Sequence, residues 1–429
     1  MSKEKLLNEY EHLNREHYKI FGLCLSGWIF DFYDLILFTF LIIPISFEFQ
    51  VTNFTISFVL GASLLAAAVG GVIFGILSDQ HGRKKVLQWT IVIYSLGTFL
   101  CAFSPNVESL IIFRIITGLG IGGEWAAGQT FVGETVPPKY RGFTGALLQM
   151  GGPLGFILAA IVGGFIAPEI GWRECFLLSA IPALMVILIR TKISESDVWL
   201  KNRESKSKIR RSFTLTENKF FLLFSKPYRK LFCLSLILAI IGSSAYWLTF
   251  SWLPDYLYSE RNLSLAKSAL WIILSQLGAI IGHIIFGLTA DYLGRRPAFT
   301  IFSFIMALGI VMITMLWVPI SVYPVLIMIF MFLVGFGTGL YGGFGPLMSE
   351  LFPTSVRNTA MGSSFNLARG VQFFTPVIIA IIGGSYGLSS GIFIAALFAL
   401  SIGLWVWTLP ETKGKKLQEL ENNRIKLGN

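Results

Sequence analysis

The sequence predicts an all-α membrane protein in which twelve transmembrane helices form two pseudo-symmetric six-helix bundles. Three observations lead to this fold class. The chain is 54% hydrophobic and only 14% charged, whereas soluble domains carry about 25% charged residues. Its apolar residues fall into twelve runs, each long enough to cross a bilayer. Finally, one charged sequence motif occurs in both halves, which indicates an internal duplication of the chain.

The repeated phrase follows an apolar run each time it occurs. Residues 75–84 read GILSDQHGRK and residues 287–296 read GLTADYLGRR, so that Asp79 and Asp291 lie 212 positions apart. A membrane protein with such a duplication is usually a transporter whose site lies between the two halves.

A second motif repeats at nearly the same offset. Glu134 precedes Arg141 by seven residues in ETVPPKYR, and Glu350 precedes Arg357 by seven residues, 216 positions later, in ELFPTSVR. Two motifs that share one offset strengthen the prediction of a duplication.

The chain divides in order into five parts. Residues 1–19 form a polar cytoplasmic segment, 20–191 a first six-helix bundle, 192–230 a charged cytoplasmic linker, 231–409 a second bundle and 410–429 a charged cytoplasmic tail. The predicted spans are 20–47, 55–78, 85–103, 107–130, 143–167, 172–191, 231–258, 266–288, 298–318, 321–347, 358–384 and 387–409.

The basic residues predict how the chain is oriented. With the N-terminus inside, 29 of the 34 Lys and Arg residues fall in inside segments. This positive-inside bias predicts a multi-pass protein of the plasma membrane with both termini cytoplasmic. The net charge of +10 therefore faces anionic lipid, and nucleic acid is not an expected partner.

The sequence contains no motif typical of an enzyme active site. The four cysteines are scattered in apolar runs without metal-ligand spacing, and no nucleophile elbow or phosphate-binding loop occurs. We expect no catalytic residue, no metal and no cofactor. We expect a monomer.

The repeated motifs predict a gate at the cytoplasmic side. Their charges are expected to form an ion-pair latch that holds the halves together. The residues assigned to it are Asp79, Gly82, Arg83, Glu134 and Arg141 in the first half, and Asp291, Gly294, Arg295, Glu350 and Arg357 in the second.

Two carboxylates lie inside the first span. Asp31 and Asp34 occur in GWIFDFYDLILF, and a spacing of three places both on one helical face. A charge near the bilayer centre costs about 2.5–3.5 kcal/mol. Two such close carboxylates should not both ionise freely, which is the property of a proton carrier. A permanent structural salt bridge is the alternative.

Arg369 lies near the middle of the eleventh span, and the spans of the second half have no acidic residue at similar depth. A buried guanidinium favours a carboxylate, which it binds through two parallel hydrogen bonds. We interpret Arg369 as the anchor of a substrate carboxylate. The alternatives are a pair with the carboxylates of the first span, or a side chain that extends to the membrane surface.

Weaker candidates surround these charges. Glu124, in the fourth span, is either a second protonation site or a partner of loop cations. Further polar and aromatic residues are expected to line the substrate cavity: Gln149, Tyr246, Trp247, Gln276, Asn366 and Gln372.

With these motifs in place, the chain resembles the major facilitator superfamily over residues 20–412. The pattern G-x-x-x-D-x-x-G-R-[KR], after spans 2 and 8, is similar to its signature loop. FRIITGLGIGGEW at 113–125, SESDVWL after span 6 and PETKG after span 12 resemble its sugar-porter and metabolite:proton-symporter branches. DFYD and GEW are similar to organic-acid members such as shikimate, sialate and lactate-type permeases.

The resemblance adds roles to two residues. Asp34 matches the position of the first-helix aspartate in proton-coupled sugar porters, and Arg114 matches its fourth-helix arginine partner. The resemblance therefore implies proton coupling by this pair, although Arg114 is expected to lie about 10 Å closer to the outside than Asp34.

The function predicted is secondary active transport, with a small organic acid and a proton carried together by alternating access. One alternative is proton-coupled uptake of a sugar or polyol, although the seventh span lacks the paired glutamines of that branch. A second is a drug:proton antiporter. The fifth span of that class carries G-P-x-x-G-G, which GGPLGF at 151–156 of this chain matches only in part.

Overall fold

The computed structural model describes residues 13–137, 141–180, 193–195, 200, 219–352 and 356–413. The predicted sixth span is therefore described only to residue 180. Most of the expected linker, the first twelve residues and the tail beyond residue 413 lie outside the described residues.

Six helices make up the first half. They are α1 (Arg15–Phe49), α2 (Asn53–His81), α3 (Arg83–Cys101), α4 (Val107–Thr135), α5, which runs through Arg141–Gln149, Gly151–Ile161, a π-helical turn at Val162–Ile166 and Ala167–Ile170, and α6 (172–180).

Six further helices make up the second half. They are α7 (Lys226–Phe250, continuing through Leu253–Asp255 and a π-helical turn at Tyr256–Glu260), α8 (Leu265–Leu293), α9 (Arg295–Thr314), α10 (Pro324–Gly337, a 3-10 stretch at Thr338–Gly343 and Phe344–Leu351), α11 (Arg357–Val371 and Phe374–Tyr386) and α12 (Leu388–Trp405). Two further short helices are Lys219–Leu222, which precedes α7, and Trp317–Ser321, which lies between α9 and α10.

The predicted membrane spans correspond to these helices. Among the described residues, nine helical stretches are long and apolar enough to cross a membrane. The helices α3, α4 and α6 occupy the three remaining positions, so the twelve-helix fold is confirmed.

Polar side chains fix where several helices begin. Asn14 Oδ1 accepts from the backbone of His17 at 3.0 Å, and Asn106 Oδ1 accepts from the backbone of Ser109 at 2.9 Å. Each bond satisfies one N–H that the first turn of a helix leaves without a partner. These caps set the starts of α1 and α4.

The repeated phrase forms the same turn in both halves. Gly82, between α2 and α3, has φ 106°, and Gly294, between α8 and α9, has φ 108°. Only glycine adopts this conformation without strain. The sequence repeat is therefore also a repeat of backbone geometry.

Glycines also bring equivalent helices together within each half. A methyl group on Gly122 of α4 would stand 1.8 Å from the carbonyl oxygen of Ala67 in α2. In the second half, a methyl group on Gly335 of α10 would stand 1.6 Å from the carbonyl oxygen of Ser275 in α8. Such contacts need small residues at the helix interface, so α2–α4 and α8–α10 are matching close pairs.

The two halves pack together through α2 with α11 and α5 with α8. A methyl group on Gly61 would stand 2.6 Å from the carbonyl oxygen of Phe373, and one on Gly164 would stand 2.2 Å from Cβ of Ala269. We call the end of the bundle that carries Arg83 and Arg295 the basic end. Both of these close contacts lie toward the opposite end.

Candidate functional site

The two acidic residues of α1 are both buried. Asp31 is 0% and Asp34 2% exposed. Carboxylates are rarely so buried unless charged or polar groups accompany them.

Asp34 forms an ion pair with Arg114 inside the first half. Arg114 Nη1 lies 2.6 Å from Asp34 Oδ2, and Thr98 Oγ1 donates to Asp34 Oδ1 at 2.7 Å. Arg114 Nε donates to Ser63 Oγ at 3.3 Å, and its guanidinium lies 5.1 Å from the ring centre of Phe38. The side chain thus bridges the depth difference expected from the sequence, and the cluster joins α1, α2, α3 and α4.

Arg369 belongs to the second half, in the part of α11 that packs against α2 of the first half. Next to Arg369, a methyl group on Gly370 would stand 3.3 Å from Cβ of Ala68 in α2, so this part of α11 lies against the first half.

Arg369 is buried and only partly satisfied. Its side chain is 6% exposed, and Nη1 has no hydrogen-bond partner within the described residues. The helix α11 is interrupted at Gln372 and Phe373, three residues after Arg369. A buried guanidinium with a free N–H is suited to receive an anion.

Two buried amides retain unused hydrogen-bonding capacity. Gln372 donates to the carbonyl of Ala368 at 2.7 Å, while its Oε1 lacks a partner in the described part of the chain. Gln276 of α8 is 1% exposed, and its Nε2 is likewise without a partner among those residues.

Asn366 and Gln149 have different surroundings. Asn366 donates to the carbonyl of Gly362 at 3.0 Å. Its amide oxygen packs so closely on Gly71 of α2 that a methyl group there would stand 2.1 Å away. Gln149 is half-buried at the first interruption of α5. Asn366 therefore lies at the contact between the halves.

Aromatic rings extend from one half to the other. Tyr246 of α7 is half-buried, and its ring centre lies 6.4 Å from Phe32 of α1, 5.4 Å from Tyr341 of α10 and 5.8 Å from Trp247. Tyr341 donates to the carbonyl of Gly242 at 2.7 Å. This group, Phe32, Tyr246, Trp247 and Tyr341, is called the aromatic cluster below.

The sequence predicted only part of this cluster. Tyr246 and Trp247 were candidates, whereas Phe32 and Tyr341 were not. Phe32 directly follows Asp31, and Tyr341 lies in the glycine-rich stretch of α10. Neither position carried a signal that distinguishes a cavity wall from ordinary core packing.

Glu124 lies apart from the Asp34–Arg114 ion pair. It is 2% exposed and accepts a hydrogen bond from Thr90 Oγ1 of α3 at 3.1 Å. Ten residues separate it from Arg114, which is about 15 Å along a helix. Glu124 thus does not join the Asp34–Arg114 cluster.

At the basic end, the repeated motifs form two matching ion pairs. Arg83 Nη2 lies 2.8 Å from Glu134 Oε1, and Arg295 Nη2 lies 2.8 Å from Glu350 Oε1. Arg295 also pairs with Asp291 at 2.7 Å. The first pair joins α3 to α4 and the second α9 to α10.

The expected latch joins the two halves, whereas each of these ion pairs joins residues of the same half. Arg357 donates to the carbonyl of Phe352 at 3.2 Å, so it stabilises its own loop. The side chains of Asp79 and Arg141 lie outside the described residues.

Two further acids complete the basic end. Glu195 accepts from the backbone N–H groups of Arg83 and Lys84 at 3.1 and 3.2 Å. Glu411 accepts from those of Arg295 and Arg296 at 2.9 and 3.0 Å. The phrases SESDVWL and PETKG thus supply equivalent caps at the starts of α3 and α9. Sequence reasoning noted both phrases but not this role.

Glu411 shows the effect of these bonds on protonation. Burial raises its pKa, but hydrogen bonds from the backbone of Arg296, Arg295, Lys413 and Thr412 outweigh burial. The pKa of Glu411 therefore lies below its usual value of 4.5.

Two six-helix halves that enclose buried charges and unsatisfied polar atoms define a membrane transporter. The chain belongs to the Major Facilitator Superfamily, whose model matches residues 23–371 and 269–427.

Relatives agree with this assignment. A putative metabolite transport protein of Haemophilus influenzae is 32% identical, over 91% of this chain and 95% of the relative. A cis,cis-muconate transport protein of Acinetobacter baylyi is 29% identical, over 92% and 95%. A solved D-xylose-proton symporter shares the fold, with a TM-score of 0.75 and 20% identity, over 94% of this chain and all of that one.

Proposed function

We propose that this chain carries a small organic acid together with a proton by alternating access. The observation that supports this most is Arg369: it is 6% exposed, lies in the part of α11 that packs against α2 of the other half, and has an N–H without a partner among the described residues. An anionic cargo supplies the missing acceptor.

In this proposal the aromatic cluster, Gln372 and Gln276 line one cavity with Arg369. The aromatic cluster offers apolar faces on both halves, while Gln372 and Gln276 offer one acceptor and one donor. Sites for small ligands combine such apolar walls with a few oriented polar groups. Gln149 and Asn366 are proposed as further lining residues.

The proton-coupling residues in this proposal are Asp31, Asp34, Arg114 and Glu124, all buried in the first half. Intramembrane acids of this kind commonly take part in proton relays. The muconate relative supports an organic acid as cargo, and the xylose–proton symporter supports coupling to protons.

The proposed setting is the plasma membrane, with the basic end in the cytoplasm and a monomer surrounded by lipid. The lysines and arginines of the sequence favour this orientation. Import then follows from an inward proton gradient, since cargo and proton move together.

One alternative has its own support. The Asp34–Arg114 ion pair and the fold of the xylose–proton symporter also fit uptake of a sugar or polyol. A neutral cargo leaves the free N–H of Arg369 without an acceptor, so the organic acid is the better proposal.

Uptake into proteoliposomes tests the choice. Labelled cis,cis-muconate, N-acetylneuraminate and nicotinate are compared with xylose, with and without a pH gradient that is acidic on the uptake side. We expect uptake of at least one acid, accelerated by the gradient. Uptake of xylose alone, or acid uptake that ignores the gradient, contradicts the proposal.

Arg369→Gln and Arg369→Lys test the anchor in the same assay. Hydrogen bonds to charged groups contribute about 1.5–3 kcal/mol, or roughly 10- to 150-fold in affinity. We expect Arg369→Gln to lose affinity on that scale and Arg369→Lys to retain part of it. Arg229→Gln, which alters an exposed arginine of α7, is the matched control.

A further inference from the structure

Gln372 lies one turn after Arg369 on α11. Its backbone N–H donates to the carbonyl of Arg369 at 3.1 Å, so the two residues follow each other along the helix at its interruption. Both are buried, Arg369 with 6% and Gln372 with 0% of its surface exposed. Within the described residues, Arg369 Nη1 and Gln372 Oε1 have no hydrogen-bond partner. Two buried polar groups on neighbouring turns are therefore unsatisfied.

The chemistry of the unpaired atom of Gln372 is fixed by the bond that its amide makes. The other atom of this amide lies 2.7 Å from the carbonyl oxygen of Ala368, and only the amide nitrogen can donate to a carbonyl. The nitrogen is thus held by the preceding turn of its own helix, and Oε1 is left as an acceptor. The same bond draws the amide back toward the level of Arg369, the residue after Ala368.

Arg369 lies away from the lipid face of α11. The large apolar residues that this helix exposes recur at every third or fourth position: Leu367, Val371, Phe374 and Ile378. Arg369, two residues from both Leu367 and Val371, lies on the opposite side of the helix. The stretch Arg357–Val371 packs against α2 and α7. A partner for Arg369 must therefore come from inside the molecule.

The helix α7 places aromatic residues at the depth of these two groups. Trp252 Nε1 donates to the carbonyl of Pro376 at 3.1 Å, which joins α7 to α11, and both helices begin at the basic end. Tyr246 precedes Trp252 by six residues, about 9 Å. Arg369 and Gln372 precede Pro376 by seven and four residues, about 11 and 6 Å. Tyr246 of the aromatic cluster therefore lies at the same depth as the unsatisfied polar groups.

We infer that Gln372 determines which acids are carried: while Arg369 binds the cargo carboxylate, Gln372 Oε1 accepts a hydrogen bond from a hydroxyl on the carbon next to that carboxylate. The cargo is thus a hydroxy acid rather than an acid without a donor. An amino acid is disfavoured, because its ammonium group would lie beside the guanidinium. The inference rests on the proposed function, since it needs a carboxylate at Arg369.

The unpaired acceptor sets the size of the preference. A hydroxy acid supplies the donor that Gln372 Oε1 lacks, whereas an acid without a hydroxyl leaves this buried oxygen unsatisfied. Sites that form a hydrogen bond with a substrate hydroxyl reject the analogue without it for this reason. We expect the hydroxy acid to bind about 5- to 150-fold more tightly than the same acid without its hydroxyl.

The other amides proposed to line the cavity offer different chemistry. The unpaired atom of Gln276 is Nε2, a donor, which suits an acceptor on the cargo. Asn366 donates to its own helix, and its oxygen packs closely on Gly71 of the other half. Of these three amides, Gln372 is the one that presents a free acceptor one turn from Arg369.

Binding of matched acids to the unaltered protein in nanodiscs at pH 7, where all of them are ionised, tests the inference. Mandelate is compared with phenylacetate, which lacks the hydroxyl, and with 2-methoxyphenylacetate, which keeps the oxygen but cannot donate. Lactate with propionate, and N-acetylneuraminate with its methyl glycoside, form two further pairs. We expect the hydroxy acid to bind more tightly in each set that binds, and the methoxy acid to bind no better than phenylacetate.

Gln372→Met tests whether Gln372 causes this preference. The apolar side chain has a similar length but no acceptor. We expect it to lower the affinity for each hydroxy acid to that of its partner without a donor, and to leave the affinity for phenylacetate and propionate unchanged. Gln88→Met, which alters a half-buried glutamine of α3, is the matched control and should keep the preference. Arg369→Gln should weaken both kinds of acid alike.

Several results would overturn the inference and leave the proposed function intact. If Gln372 only orients Arg369, Gln372→Met weakens acids with and without the hydroxyl by the same factor. The inference also fails if the unaltered protein binds acids without a donor as tightly as hydroxy acids, or binds only acids without a donor. If none of these acids binds, and cis,cis-muconate and nicotinate do not bind either, the proposed function fails together with the inference.

Discussion

Arg114 and Asp34 form an ion pair 2.6 Å long whose two side chains are almost completely hidden from solvent. The pair connects α4 to α1, and Ser63 and Thr98 attach α2 and α3 to it. This buried cluster of three contacts therefore connects four helices of the first half.

Removal of one partner should destabilise this half strongly. Asp34→Asn leaves a buried guanidinium without a counter-ion, which costs about 3–5 kcal/mol. We expect a clearly lower thermal unfolding midpoint in detergent. Combining it with Arg114→Gln removes both charges and should restore part of the loss. An unchanged midpoint for Asp34→Asn would show that the pair contributes little to the fold.

The cap at the start of α9 predicts a pH-dependent effect. Glu411→Gln removes a charged acceptor from two backbone donors, which should cost about 1 kcal/mol at pH 7. Since the folded pKa of Glu411 lies below 4.5, its contribution is present above that pH and is lost as the pH falls through the folded pKa. The difference in unfolding midpoint between the two proteins should therefore shrink below pH 4.5; a constant difference would contradict the assignment.

The turn between α8 and α9 predicts a cost for any side chain. Gly294 has φ 108°, and a methyl group there would stand 3.1 Å from a carboxylate oxygen of Glu411. Gly294→Ala should cost about 1–3 kcal/mol. Gly287→Ala, in the same motif with nothing within 4 Å of the added methyl group, is the control for unfolding midpoints, and equal losses would exclude the backbone explanation.

Contact between the halves at Gly61 predicts an effect on transport. Gly61→Ala places a methyl group 2.6 Å from the carbonyl oxygen of Phe373, and such overpacking costs about 1–3 kcal/mol. The state in which these helices touch should become about 5- to 150-fold less populated, and uptake should slow. Gly75→Ala, on the same helix with open space around it, should transport normally. Equal rates for both variants would contradict the importance of this contact.

Much of the fold was predictable, because a membrane imposes a simple rule on sequence. A chain that crosses the bilayer must use long apolar helices, so runs such as 266–288 were recognisable. The repeat of Gly82 and Gly294 was also recognisable, since only glycine fits that turn.

The hydrogen-bond and ion-pair partners of individual side chains were harder to predict than the positions of helices and motifs. The spacing between Glu134 and Arg141 is fixed along the chain, yet Glu134 pairs with Arg83 of another helix. The roles of Glu195 and Glu411 depend on backbone N–H groups, which leave no signature in sequence. The hydrogen bonds of Thr98 to Asp34 and of Arg114 to Ser63 likewise depend on how α2 and α3 pack against the pair.

The most direct test of proton-coupled acid transport is to follow the proton itself. Proteoliposomes that contain pyranine are given an external carboxylate at equal pH on both sides, with no imposed gradient. The account predicts that the lumen acidifies as cargo enters, and that Arg369→Gln abolishes the signal. Accumulation of the acid without any acidification of the lumen would contradict it.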